Sequence, residues 1–248
     1  MTGDLSELAK ARRREVVRSY FRVRQALGWL GLSLPFLLIL TGILSDGLAP
    51  SVSDFFHTLS RDVYVGVLVS IGIFLLVYEG YDRQPGETFA DNWIATVAGV
   101  SVIGVALFPN ESPTGDVASL TQHLLGVGLS PLFHYSCAFV FFYCMGHFCM
   151  FRFARTHDPR RRRFYRGCGW AIVASCAGLF VATILRQAGG PDVSAMVTDL
   201  QIVFWVEVLG IWAFSAAWIV KGRGDLELLE ALISGQIADK TQARAGRP

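Results

Sequence analysis

The residues best equipped for chemistry gather in Ser51 to Asp62, which reads Ser-Val-Ser-Asp-Phe-Phe-His-Thr-Leu-Ser-Arg-Asp between two long apolar runs. Ser53 brings a hydroxyl, His57 an imidazole, Arg61 a permanent positive charge and Asp62 a carboxylate. Left unpaired in lipid, each of these groups would cost several kcal/mol. Three distant residues can join them: His123, His134 and Glu207. Glu207 stands out because it interrupts Val-Phe-Trp-Val-Glu-Val-Leu-Gly-Ile-Trp, about two turns into an apolar run. At about 1.5 Å per residue it is on the order of 10 Å deep. A carboxyl group there must face a bundle interior and pair or protonate, and such residues are functional candidates by default.

Positioning these groups falls to a very apolar chain. Of 248 residues, 52% are hydrophobic and 17% charged, with a mean hydropathy of +0.44. A soluble domain carries about a quarter charged residues. The apolar residues concentrate in runs of about 20, the length that crosses a hydrocarbon core of roughly 30 Å. The fold expected is all-α: a polytopic membrane bundle of six transmembrane helices, at about 26–45, 63–81, 92–108, 131–153, 166–185 and 200–220. Pro35 falls inside the first, where neighbouring helices can satisfy the freed carbonyl. Phe108-Pro109-Asn110 stops the third, Gln122 to Leu129 reads as a short interfacial helix, and Gly189-Gly190-Pro191 as a turn.

Residues 1–25 read as a basic amphipathic segment on an anionic leaflet, 26–221 as the transmembrane domain, and 222–248 as an amphipathic tail with its apolar stretch at Leu226 to Ile237. Nothing before the first apolar run has the pattern of a cleavable signal, so that run is expected to be retained. Small residues at close-packing spacing, Gly66 with Ser70 and Gly178 with Ala182, are expected to let helices approach. Tyr78 and Tyr81 near the end of the second span, and Trp29, Trp93, Trp170 and Trp218 near other span ends, fit interfacial belts.

Charge placement sets the orientation. Of the 22 basic residues, seven precede the first span, seven lie between the fourth and fifth, and five follow the sixth. The positive-inside rule then puts both N-terminus and C-terminus in the cytoplasm, in a multi-pass protein of a bacterial-type cell (inner) membrane. Ser51 to Asp62 and His123 fall on the non-cytoplasmic side, with His134 in the first turn of the fourth span and Glu207 beneath.

On that topology Ser53, His57, Arg61, Asp62, His123, His134 and Glu207 can converge on one outward-facing pocket. Three readings of it stand open. In a structural one, Arg61 and Asp62 cap the second helix and Glu207 bonds a neighbouring span. In a binding one, a polar mouth above an apolar bundle holds a lipid or small amphiphile. In a catalytic one, His57, His123 and His134 hold a metal, or the histidines and carboxylates supply general acid–base catalysis, making a lipid hydrolase of the outer leaflet. Binding is the working expectation, with no enzyme activity and no cofactor; zinc belongs to the catalytic alternative. A non-enzymatic anchor or assembly partner presenting its basic cytoplasmic face is a further alternative.

Ser53-Asp-Phe-Phe-His57-Thr58 resembles the serine-x-x-phenylalanine-histidine-threonine signature of the CREST superfamily of membrane hydrolases, which includes alkaline ceramidases and the progestin and adipoQ receptors. The resemblance implies that Ser53 matches the family's serine and His57 its zinc-ligand histidine, with five spans downstream. The chain departs from the pattern further on. Its sixth span lacks the family's histidine pair, and Asp62 follows His57 too closely to be the later aspartate. His-Thr-x-x-Arg-Asp-Val-Tyr-Val-Gly at 57–66, with Phe-Trp-Val-Glu and Trp-x-Val-Lys-Gly in span six, resembles a group of uncharacterised six-span bacterial membrane proteins. That likeness implies no activity.

Other constellations carry less. Cys144-Met145-Gly-His147-Phe-Cys149-Met150 collects soft copper ligands, but on one helix they point several ways and read as core. The five cysteines all lie in apolar runs and read as small buried hydrophobes. Arg160, Arg161, Arg162 and Arg163 are expected to meet anionic headgroups. His134 and His147 lie at opposite depths of one span and cannot ligate one haem iron together. The partners expected are membrane lipids, with a protein partner or homo-oligomer left open and no nucleic acid.

Overall fold

In lipid, a chain can satisfy its own backbone only as helix or closed barrel, and every regular element among the described residues is helical. The computed structural model describes the backbone over residues 2–45, 47–80, 89–112 and 114–245, with side chains at 12, 15 and 22 and, within those ranges, from 24 to 223. Helix α1 runs Thr2–Leu44, α2 Arg61–Leu76, α3 Asp91–Leu107, α4 Leu120–Leu125, α5 Ser130–His147, α6 Pro159–Ala188, α7 Gly190–Asp199 and α8 Ile202–Ala245. A 3-10 turn, Ser53–His57, precedes α2, and a π-helical turn, Phe148–Phe153, continues α5.

Four segments are long and apolar enough to cross a membrane: Arg24–Leu44, Ser130–Phe153, Pro159–Ala188 and Ile202–Arg223. With 16 and 17 residues, α2 and α3 each reach only about 25 Å, short of a roughly 30 Å core. They complete a ring nonetheless. α1 packs on α2, α2 on α3, α3 on α5, α5 on α6, α6 on α8, and α8 back on α1. Neighbours in the ring alternate in direction, so the bundle has two distinct ends. One carries the 47–60 loop, α4 and α7 (the loop end); the other carries Arg152 and the start of α6 (the arginine end). The exterior is apolar: Phe36, Phe139, Trp170 and Phe180 are each more than half exposed, as expected of surface that faces lipid.

α2 and α3 meet where neither has a side chain. A Cβ on Gly99 would come 2.8 Å from the Gly72 carbonyl oxygen, and one on Gly72 would come 3.0 Å from that of Gly99. The small-residue expectation holds at Gly178, which faces Val206 of α8 at 3.1 Å, and fails at Gly66, which has open space around it. Six residues separate Gly66 from Gly72, roughly 240° of helical rotation, so the two point to different sides. Near Pro35 the indole Nε1 of Trp212 donates to the Leu32 carbonyl at 3.3 Å. That is one residue beyond the carbonyl Pro35 leaves without its helical partner.

Three further expectations change. α6 begins at Pro159, capped by Asp158, which accepts from the Arg160 N–H at 2.8 Å, so the four arginines ride on helix rather than loop. The Gly189-Gly190-Pro191 turn is where α7 starts. Tyr78 and Trp218 leave the interfacial belt: both are buried, with ring centroids 5.6 Å apart, because α2 ends at Leu76 and turns Tyr78 inward. Trp29, Trp93 and Trp170 remain exposed. Tyr81 and the 82–88 stretch lie outside the described residues, as do the side-chain faces of the terminal segments. α1 and α8 run through those segments as continuous helix.

Candidate functional site

The loop that leaves α1 folds across the mouth of the bundle and is stitched to the start of α8. Gln201 Nε2 donates to the Leu48 carbonyl at 2.9 Å, and the Phe204 N–H donates to the Pro50 carbonyl at 3.1 Å. Ser51 Oγ accepts from the Asp54 N–H at 3.0 Å, which helps tighten Ser53–His57 into a 3-10 turn. Phe55 and Phe56 are buried beneath it, with Phe55 against Phe204 at 6.2 Å between ring centroids.

Under that turn three of the expected residues meet. Glu207 Oε2 accepts from the Val52 N–H at 2.6 Å, and Glu207 Oε1 lies 3.4 Å from Ser53 Oγ. Ser53 Oγ is 3.0 Å from His134 Nε2. The other ring nitrogen of His134, Nδ1, is 2.7 Å from the Phe108 carbonyl. That carbonyl is available because α3 ends there, so no N–H four residues further on returns to it. Ser130 Oγ donates to the Pro109 carbonyl at 2.8 Å, which fixes the start of α5 against the same turn. Beside the trio, Asn110 Nδ2 donates to Asp54 Oδ1 at 2.6 Å.

A cavity of about 50 Å³ opens below, with Ser53, Tyr64 and Glu207 at its polar end and Leu68, Phe141 and Ile211 deeper. At about 15 Å³ per water it has the size of some three water molecules. It is far below the roughly 300–1,000 Å³ that encloses a drug-sized ligand. The Tyr64 hydroxyl approaches Ser53 but makes no contact with hydrogen-bond geometry.

The other expected residues border the trio or point away. His57 packs on Phe56, and its buried Nε2 has no partner among the described residues. Arg61 lies 4.0 Å over the Phe56 ring and donates from Nη1 to the Ala118 carbonyl at 2.9 Å. It is the first residue of α2 and makes no side-chain cap; Asp62 is exposed in the same turn. His123 is exposed in the last turn of α4. The short helix expected over Gln122 to Leu129 runs Leu120–Leu125 instead and stops at Gly126; it is capped by Ser119, which accepts from the Gln122 N–H at 3.2 Å. His57, His123 and His134 therefore do not form a ligand set. Among the described residues, no group of three or more His, Cys, Asp and Glu could hold a metal ion.

Sequence reasoning missed Tyr64, Asp54, Asn110 and the Phe108 carbonyl. Pro109 was the available signal for the carbonyl, since a proline after a helix leaves acceptors for side chains. Tyr64 lies three residues beyond Arg61, on the inward face of α2.

The arginine end is built otherwise. Arg152 Nε and Asp91 Oδ1 pair at 3.0 Å, and Arg152 also donates to the Phe89 carbonyl. Arg24 is buried 5.2 Å from the Tyr78 ring centroid and 5.8 Å from that of Phe153. Arg160, Arg162 and Arg163 are exposed, while Arg161 pairs with Asp158 at 3.6 Å. The soft-ligand stretch is core: Cys144, Met145 and Cys149 are buried, and all five cysteines are free thiols.

Chemically, the trio at the loop end can hold, give or take a proton and can hydrogen-bond a small polar group. Its Ser53–His134–carbonyl order is that of a hydroxyl, a base and the group that orients the base. No family model matches this chain, and neither a curated protein nor a solved structure is similar to it.

Proposed function

We propose that this chain is a six-span protein of a bacterial-type cytoplasmic membrane with both termini in the cytoplasm, and that its outward-facing loop end binds the polar headgroup of a lipid-like or amphiphilic molecule. The observation that carries this reading is the Glu207–Ser53–His134 chain beneath a loop with an apolar rim. Leu59, Leu120, Leu124 and Leu132 are each more than three-fifths exposed around it. A cavity of about 50 Å³ admits only the small polar tip of such a molecule, while its tails lie along a rim that already faces lipid. The orientation follows from the seven arginines between Arg152 and Arg166, set against Arg61 and Arg186 alone among basic residues on the loops of the other side. In this orientation Arg160, Arg162 and Arg163 meet anionic headgroups of the inner leaflet.

Native mass spectrometry of protein purified with its lipid should find an amphiphile that Glu207→Ala and Ser53→Ala remove and His123→Ala retains. If all four proteins carry the same lipids, the trio is a structural clasp and the anchor reading replaces binding. The orientation has its own test. A cysteine placed at exposed Asp116 should react with a membrane-impermeant maleimide in intact cells, and one at exposed His157 only after lysis. The reverse pattern would invert the topology.

A further inference from the structure

With His134 neutral and Glu207 ionised, the trio at the loop end holds one proton fewer than its contacts need. The Phe108 carbonyl can only accept, so the Nδ1 proton of His134 is committed to it. A neutral His134 then presents a bare Nε2 to Ser53, 3.0 Å away. Glu207 Oε1 faces the same hydroxyl at 3.4 Å, and its other oxygen is held by the Val52 N–H. Ser53 has a single O–H. With His134 neutral and Glu207 ionised, two acceptors share one donor, and one contact becomes lone pair against lone pair where water has little access.

One added proton removes the conflict in either of two arrangements. On the carboxyl group, it lets Glu207 donate to Ser53 and Ser53 donate to His134. On the imidazole, it lets His134 donate to Ser53 and Ser53 donate to Glu207. The two differ by a shift of protons through one hydroxyl, in which only O–H and N–H bonds form and break. Neither carries net charge.

We infer that Glu207, Ser53 and His134 bind one proton in common, relayed through the Ser53 hydroxyl, and that this proton latches the 51–60 loop over the cavity. The inference stands without the headgroup reading, since it needs no ligand. The other titratable or charged groups around the trio are accounted for. Asp54 on the loop accepts from Asn110, Arg61 of α2 is bonded to the Ala118 carbonyl, and Glu111 after α3 accepts from Tyr135 of α5. Tyr64 of α2 lies beside Ser53, and His57 packs on Phe56.

Closing the loop takes up the proton and opening releases it, so closure is complete at lower pH and is lost as pH rises through the titration of the trio. One linked proton changes the opening equilibrium by at most about tenfold per pH unit. Hydrogen–deuterium exchange at the Val52 N–H of the full chain in lipid, corrected for the intrinsic pH dependence of exchange, reads this directly. In the wild type, protection should fall towards that limiting slope. In Glu207→Gln the amide donates to Ser53 without an added proton while its oxygen still accepts from Val52, so protection should persist and the slope vanish. Ser53→Ala should leave the Val52 contact but uncouple it from the ¹⁵N titration of His134, and His57→Gln should keep the wild-type slope. A flat wild-type profile, an unchanged slope in Glu207→Gln, or a slope lost in His57→Gln overturns the inference. Identical lipids across the earlier variants, with the slope intact, would sink the headgroup reading alone.

Discussion

At the arginine end, the side chains of Asp91 and Arg152 pair at 3.0 Å while only 5% and 7% exposed, and Arg24 is enclosed by Tyr78 and Phe153. Phe148, Phe153 and Trp218 fill the space beside them, with ring centroids 5.0–5.6 Å apart. At the loop end the carboxyl group of Glu207 faces a backbone N–H, a serine and, through the serine, a histidine, and has no cation paired with it among the described residues. A cavity lies beneath, and the Tyr64 hydroxyl, His57 Nε2 and Asn110 Oδ1 are buried without partners among the described residues. Full charges in direct contact lock one end and suit it to holding position. Hydrogen bonds that one hydroxyl must share leave the other end able to change state. The candidate site is the end whose buried carboxyl group has no cation against it among the described residues and has a cavity beside it.

The largest effect expected from this contrast is at the arginine end. Arg152→Ala strands a buried carboxylate and should cost about 3–5 kcal/mol. Glu207→Ala strands the Val52 N–H, while Ser53 keeps His134 as a partner, and should cost about 1–3 kcal/mol. Denaturant unfolding in one detergent, applied to both variants and the wild type, measures the order. If Glu207→Ala proves the more damaging, Glu207 is held by a full charge in the folded protein and the two ends are alike.

The helices were legible because each apolar run is bounded by charge or proline. α3 covers Asp91–Leu107 against an expected 92–108, and α5 with its π turn ends at Phe153 as expected. What stayed hidden was direction around the helix. Gly66 and Gly72 are alike in composition, and only packing shows that Gly72 makes the close approach. Tyr78 reads equally well as an interfacial or a core residue until the end of α2 turns it inward. The same limit governs the site. Ser53, His134 and Glu207 were found because polar groups are rare in such a chain. His57, Asp62 and His123 were grouped with them by the same reasoning, although two of the three are exposed and His57 only borders the trio. The Phe108 carbonyl that orients His134 has no side-chain signature at all.

The smallest effect expected is at Tyr64. Its hydroxyl is buried at the polar end of the cavity without a hydrogen-bond partner among the described residues, whereas a typical partnered hydroxyl contributes about 1 kcal/mol. Tyr64→Phe keeps the ring that packs between α2 and its neighbours and removes only the oxygen. A desolvated, unpartnered hydroxyl disfavours the folded state, so its removal should leave stability unchanged or raise it by up to about 1 kcal/mol. The same unfolding assay resolves this. A loss greater than about 1 kcal/mol would mean that the hydroxyl is bonded in the folded protein. In that case the hydroxyl helps to hold the loop end together, and the contrast between a locked end and one able to change state weakens. An unchanged or higher stability, together with an altered pH slope at the Val52 N–H, would instead place Tyr64 at the edge of the shared-proton trio, acting on Ser53 without holding the fold.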